Sequence, residues 1–414
     1  MSEKKRSNFI MCFLVGAHLV QTGLGNSSLD QIHTVFASVM LFCMFFFNVP
    51  IAAFTVLGLI ALSSFFFTSL LLFGTFMLVV IATFSLPLAP GNRSILRFGL
   101  FATYFLAAFH KLNTDFFNPH VTCSTLVFEL FPAFESLHSN TTIVAVMPWL
   151  AIMTEGFMAM GLLSKRLVPY ALLTAISFHI LMLGGSIFSM ALNLLPLAAA
   201  FINLPDAKTE LRIQRIFSLL LLPFILRKWR WAFEFQSLDW VVSDQILQAS
   251  AALILSGFAF IIFQNRRRCE PLVFADLFKN LKGKVTFFFI FLWGAQPYLG
   301  LSTMQSFTMA SNLRTETNPN HLLMRHVPQI FSLQNDLVSF DEYSQIMSGC
   351  DEKTLIKEPS PKRVGQSGII PYGRFSKIPR LQVESLHLRC RNQNQGWRMY
   401  FQFRAVDEPS QCRN

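Results

Sequence analysis

TIVAVMPWLAIMTEGFMAMGLL, residues 142–163, carries one formal charge, Glu155, in a run that is otherwise apolar or small. A helix of ~20 apolar residues spans the ~30 Å hydrocarbon core of a bilayer, so this run separates a membrane fold from a soluble one. Runs of the same character lie at 9–20, 32–48, 51–66, 68–89, 96–111, 168–186, 188–204, 214–226, 247–263 and 284–297. Between Arg6 and Arg93 the only charged side chain is Asp30. The 414-residue chain is 53% hydrophobic and 14% charged, where a soluble domain carries ~25% charged residues. These features predict an all-α polytopic membrane protein with roughly eight to ten transmembrane helices, the shorter runs being tilted, re-entrant or interfacial. Pro50, Pro90, Pro148, Pro196 and Pro223 fall where they end or kink helices.

After Tyr298 the composition turns polar, with alternation at Leu381, Val383, Leu386 and Leu388 and at Met399, Phe401 and Phe403. Such alternation predicts short strands. The expected organisation is a multi-helix membrane domain over 1–300 and a polar, extramembrane cap of mixed α/β structure over 301–414. Phe9 to Val20 reads as a retained helix, because Gln21 to Asp30 offers no clean cleavage site.

The net charge of +11 is not one patch. It is spread over Lys4-Lys5-Arg6, Lys165-Arg166, Arg227-Lys228-Arg230, Arg266-Arg267-Arg268 and Lys279-Lys282-Lys284, at the ends of apolar runs. This is the pattern of positive-inside anchors and headgroup contacts, not of a nucleic-acid surface. The basic clusters at 4–6, 165–166 and 266–268 are therefore expected on the cytoplasmic side. The segment Asn113 to Asn140, which has no Lys or Arg, is expected outside, with Asn140-Thr141-Thr142 a sequon there. The seven cysteines form no CxxC or zinc-ligand pair, which disfavours metal and dithiol chemistry. The expected setting is a multi-pass integral membrane protein, in the cell or inner membrane of a bacterium or the endoplasmic reticulum of a eukaryote.

Ionisable residues inside apolar helices are costly and mark functional sites by default. On helical spacing Tyr104, Lys111 and Asp115 project from one face at i, i+7 and i+11, while His110 and Asn113 point elsewhere. Glu155 and His179 each stand alone in long uncharged stretches. Structural readings compete with functional ones: Lys111 as an interfacial snorkel, His179 as a core histidine, Glu155 as the partner of either in an ion pair that fixes register. The convergence of an amine, an imidazole, a carboxylate and a phenol favours acid/base chemistry, and the same set suits a proton-coupled transporter. No inverted repeat supports the transporter. The polar block Ser311 to His321 is expected either to close the pocket, with Arg314 and Glu316 paired or on a substrate, or to form a solvated interfacial loop.

Three segments carry a resemblance: YFLAAFHKLNTDFF at 104–117; Phe178-His179 followed by Phe188-Ser189-Met190; and PYLGL at 297–301 running into SFTMASNLRTE at 306–316 and NHLL at 320–323. Together they resemble the horizontally transferred transmembrane (HTTM) family, which contains the vitamin K-dependent gamma-glutamyl carboxylase. The likeness covers about 90–340.

The resemblance implies that Lys111 is the base that deprotonates a reduced naphthoquinone such as reduced vitamin K, and that His179 belongs to the same active site. Tyr104, His110, Asn113, Asp115, Glu155, Ser189, Asn312, Arg314, Glu316 and His321 are expected to bind substrate or line the pocket around them. Oxygen and carbon dioxide are the implied co-substrates, and a glutamate-containing peptide or protein the implied acceptor. No metal is implied, and the partners are the lipid bilayer and the lipid-soluble quinol. A lysine accepts a proton only when neutral, and an apolar, desolvated pocket favours the neutral amine. Two departures limit the likeness: only about a hundred residues follow Gly300, too few for the carboxylase's large lumenal domain, and His110 stands where the carboxylase has a second lysine. The expected function is thus quinol oxidation with or without coupled carboxylation, the alternative being a non-catalytic transporter, sensor or immunity component.

Overall fold

A computed structural model describes residues 92–120, 122–125, 137, 140–181, 194–195, 197–204, 207–220, 222–223, 226, 244–279, 281–299, 311, 313, 320–324, 337–339 and 377–379. These residues are mostly helical: α1 Asn92–His110, α2 Thr114–Phe117, α3 Thr141–Gly161, α4 Val168–Leu181, α5 Ala207–Leu220, α6 Asp244–Gln264, α7 Phe274–Phe278 and α8 Leu281–Leu299. Two short strands, β1 Leu337–Ser339 and β2 Lys377–Pro379, pair antiparallel with Val338 opposite Ile378. The strands expected at 381–388 and 399–403, and every run before residue 92, lie outside the described residues.

Two described helices are long and apolar enough to cross a membrane, Thr141–Gly161 and Gln245–Gln264. The Asn140 side chain starts the first by accepting from the backbone N–H groups of Thr142 and Ile143, at 3.1 and 3.2 Å, which satisfies donors a helix start leaves open. Pro148 neither ends nor starts a helix and lies inside α3. Helix α5 begins before its expected apolar run at 214–226, because its first turns are polar and a hydropathy reading passes over them.

The chain falls into two compact units, one containing residues 92–102 and 157–289, the other 103–156 and 290–414. In the first, α4 packs against α6 and α6 against α5. Helix α4 buries Val168, Ala171, Leu172, Ala175, Ile176 and His179, and α6 buries Leu247, Ala251, Ile254, Leu255, Phe258 and Ile262. Both sets recur every three to four residues, the stripe a helix uses to pack. Gly161 closes the tight α3–α4 turn: a Cβ there would lie 2.8 Å from Ala171 Cβ.

Arginines one helical turn apart on α1 tie this unit together. Arg97 donates to the carbonyls of Ala200 and Pro271 at 3.0 and 3.1 Å and to Glu270 Oε2 at 2.6 Å. Arg93 donates to the Ile202 carbonyl at 2.8 Å and to Asn203 Oδ1, and Asn203 donates to Glu270 Oε1. Burial pushes the Glu270 carboxyl up, but the Arg97 and Asn203 hydrogen bonds and the two guanidinium charges outweigh it and hold the group below its ordinary value. Burial also pushes the neighbouring Cys269 thiol up to about 11, against the opposing pull of Arg97.

In the second unit α8 lies along the end of α1, so closely that a Cβ on Gly294 would meet Leu106 Cδ1 at 2.5 Å. Asn113 forms an isolated antiparallel bridge with His321, which brings the 320–323 segment onto the end of α1.

Candidate functional site

The site starts where α1 stops. Lys111 N–H and Leu112 N–H donate to the carbonyls of Ala108 and Phe109, at 3.2 and 3.1 Å, a tightened final turn. Asn113 then takes an extended backbone, φ −140 and ψ 156, and its side chain caps α2 by accepting from Phe116 N–H at 2.8 Å. The helix therefore does not run on from Tyr104 to Asp115. Lys111 sits in the turn and Asp115 in a separate helix, so the expected i, i+7, i+11 face is corrected, although all three side chains are buried. The cause is the Asn113 cap, which competes locally with helix continuation.

Lys111 Nζ lies 2.9 Å from Glu155 Oε1 and 2.9 Å from Oε2. Lys111 is 5% exposed and Glu155 3%. The amine also stands 5.9 Å from the centroid of the Phe116 ring. An interfacial snorkel would carry its ammonium to water, whereas this one reaches a carboxylate fourteen positions into α3, about 21 Å of helix rise from its start. Of the two partners open to Glu155 in the sequence, Lys111 is the one it takes.

His110 is fully buried, and its Nδ1 and the Tyr298 hydroxyl are 2.9 Å apart. Asn113 Nδ2 donates to the carbonyls of His110 and Ser311, and its Oδ1 accepts from Asn320 Nδ2 at 3.2 Å. Thr114 N–H donates to the Asn320 carbonyl at 3.0 Å, and Leu322 N–H to the Leu112 carbonyl at 2.8 Å.

His321 has a defined tautomer. Its Nε2 is 2.9 Å from the Phe109 carbonyl, which only accepts, so Nε2 carries the hydrogen. Nδ1 then accepts from the backbone N–H groups of Leu323 and Met324, both at 3.2 Å. Burial holds this imidazole below its ordinary value, with the Phe109 carbonyl acting in the opposite direction. Phe109, Tyr298 and His321 form an aromatic cluster, the His321 ring 4.7 Å from Phe109 and 5.4 Å from Tyr298.

Of the expected site residues, the structure thus brings together Lys111 with Glu155, and Asn113 with the segment carrying His321. The described members of the 311–321 block, Ser311, Leu313, Asn320 and His321, are buried. His179 lies in the first unit on the buried stripe of α4, with the Phe178 ring edge-on at 5.5 Å. Ser189, Asn312, Arg314 and Glu316 lie outside the described residues. Tyr298 is not among the expected site residues, and Ser311 and Asn320 entered the expectation only as part of the 311–321 block. The only signal for them was polar residues interleaved among apolar ones. No group of three or more His, Cys, Asp or Glu suited to a metal occurs among the described residues.

A buried, mutually neutralising amine and carboxylate can exchange a proton without water. No family model matches the chain, and neither a curated protein nor a solved structure matches it.

Proposed function

We propose that the chain is a multi-pass membrane protein whose Lys111–Glu155 pair moves a proton for a lipid-soluble substrate, a reduced naphthoquinone oxidised by oxygen, with or without coupled carboxylation of a glutamate. The observation that carries this reading is the 2.9 Å contact of Lys111 Nζ with both Glu155 oxygens at a buried position. The membrane setting is supported by large apolar side chains facing outward on the two long apolar helices: Met153 is 70% exposed, Trp149 60%, Phe260 63% and Leu253 59%. Soluble proteins rarely expose such surfaces, and lipid accepts them.

The chemistry follows from the pair. Lys111 passes a proton to Glu155 and becomes a neutral amine, and this amine takes the hydroxyl proton of the quinol. The resulting anion reacts with oxygen; overall, quinol and oxygen give the epoxide and water. The HTTM resemblance supplies the substrate class, and an apolar protein surface lets both reactants arrive from the bilayer. Purified full-length protein, given reduced naphthoquinone and oxygen in detergent, is expected to form the epoxide. No product above a protein-free blank would retire this reading.

A second reading is a non-catalytic membrane protein in which the pair only fixes helix register. It is favoured by one observation, that the buried Lys111 ammonium and Glu155 carboxylate lie 2.9 Å apart and offset each other's charge.

A further inference from the structure

The basic clusters are far apart in sequence, yet two of them meet at one end of the first unit. Lys165 and Arg166 lie in the turn that joins α3 to α4, and Arg266–Arg268 form a short 3-10 turn directly after α6. Leu272 N–H donates to the Leu162 carbonyl at 2.9 Å and ties the two connections together. Glu270 N–H donates to the Phe201 carbonyl at 2.9 Å, which anchors the second connection to a third. Helix α7 follows, with Phe274 against Phe98 and Phe101 at 6.1 and 5.6 Å, and α8 starts from the same end with Lys284 in its first turn.

Lys165, Arg166, Arg266, Arg267, Arg268 and Lys284 are all exposed. Among the described residues, the carboxylates of these connections are already engaged: Glu270 by Arg97 at 2.6 Å and Asp276 by Lys279 at 2.6 Å. The described surface therefore presents cations with little compensation. Exposed apolar side chains stand among them, Leu281 at 75% and Leu167, Val273 and Phe278 at 42%, 43% and 38%. Cations interleaved with apolar side chains fit an interface where phosphates lie above acyl chains.

We propose that this end of the first unit is a docking surface for the headgroups of anionic phospholipids, which it selects over zwitterionic ones. The proposal rests on the membrane reading above but not on the quinol chemistry. Nucleic acid offers the same phosphate charge without an acyl phase, and the exposed Leu281 and Phe278 beside the cations favour the lipid.

The test uses full-length protein in detergent, equilibrated with equal amounts of phosphatidylglycerol and phosphatidylcholine, with retained lipid counted by native mass spectrometry. A cation held near an anionic surface shifts partition by about five-fold. Wild type is expected to retain phosphatidylglycerol over phosphatidylcholine by at least about ten-fold. The Arg266→Gln/Arg267→Gln/Arg268→Gln variant is expected to lose most of that preference. Equal retention by wild type would overturn the proposal. So would a preference that survives the triple variant, one that millimolar inorganic phosphate abolishes, or one that RNA abolishes while displacing the lipid. Carbonate extraction of membranes scores insertion separately: release of the protein into the supernatant would refute the membrane reading, whereas insertion without headgroup preference refutes only this proposal.

Discussion

Lys111 and Glu155, 44 positions apart in the chain, hold each other at 2.9 Å through both carboxylate oxygens while almost wholly buried. Two charges removed from water are tolerable together and costly apart. Glu155→Leu alone, or Lys111→Ala alone, strands a charge and is expected to cost ~3–5 kcal/mol. Lys111→Met/Glu155→Leu removes both and is expected to unfold no more readily than wild type. A double-mutant cycle read by unfolding in detergent checks this, and strictly additive losses would mean that the pair is not coupled.

The Asn113 side chain joins His110 and Phe116, three residues away on either side, to Ser311 and Asn320, 198 and 207 positions on. Asn113→Ala removes the α2 cap, worth ~0.5–2 kcal/mol, and three further side-chain hydrogen bonds, to the His110 and Ser311 carbonyls and from Asn320, at ~0.5–1.5 kcal/mol each. Asn113→Asp keeps the cap acceptor but turns a donor into an anion facing the His110 and Ser311 carbonyls. It is expected to destabilise at least as much as Ala, despite its near-identical shape. Limited proteolysis after residue 300, compared across the three proteins, reports whether the 311–324 segment has detached.

His321 makes the second unit sensitive to acid. Its folded value is depressed below the ordinary 6.5, so the unfolded chain binds the proton first and stability rises with pH. The contribution is complete above ~6.5 and lost as pH falls through the folded value, when a proton on Nδ1 displaces the Leu323 and Met324 N–H groups. Thermal unfolding of wild type is expected to fall between about pH 8 and pH 5 by more than that of His321→Phe. Parallel pH profiles for the two would remove His321 from the account.

The helices at 92–110, 141–161, 168–181, 244–264 and 281–299 follow the apolar runs closely, because hydropathy over ~20 residues is a local property. The start of α5 escaped that reading, since its first turns are polar. The end of α1 was legible only in part: Asn-Thr-Asp at 113–115 is a capping pattern, but the spacing of Tyr104, Lys111 and Asp115 suggested one continuous face. Glu155 stood out as a lone charge, yet its choice of Lys111 depends on how distant helices pack, which periodicity does not encode. Likewise nothing local links Asn113 to Ser311 and Asn320. Polar residues interleaved with apolar ones marked that block as unusual without naming its partner.

Lys165-Arg166 and Arg266–Arg268 share one end of the first unit, and on the proposed membrane reading the positive-inside bias predicts that end on the cytoplasmic side and Asn140 outside. Reporter fusions after Asn140 and after Arg268 are expected to read outside and inside respectively. A cytoplasmic signal after Asn140 would reverse the orientation.

The most direct test of the proton-transfer claim is epoxide formation by Lys111→Arg. A guanidinium can keep the ion pair with Glu155 and so the fold, but it stays protonated and cannot serve as a base. At unfolding temperatures matched to wild type, the variant is expected to lose ~10²–10⁴-fold or more of quinol oxidation, while wild type turns over. Equal product from the two proteins would contradict Lys111 as the base.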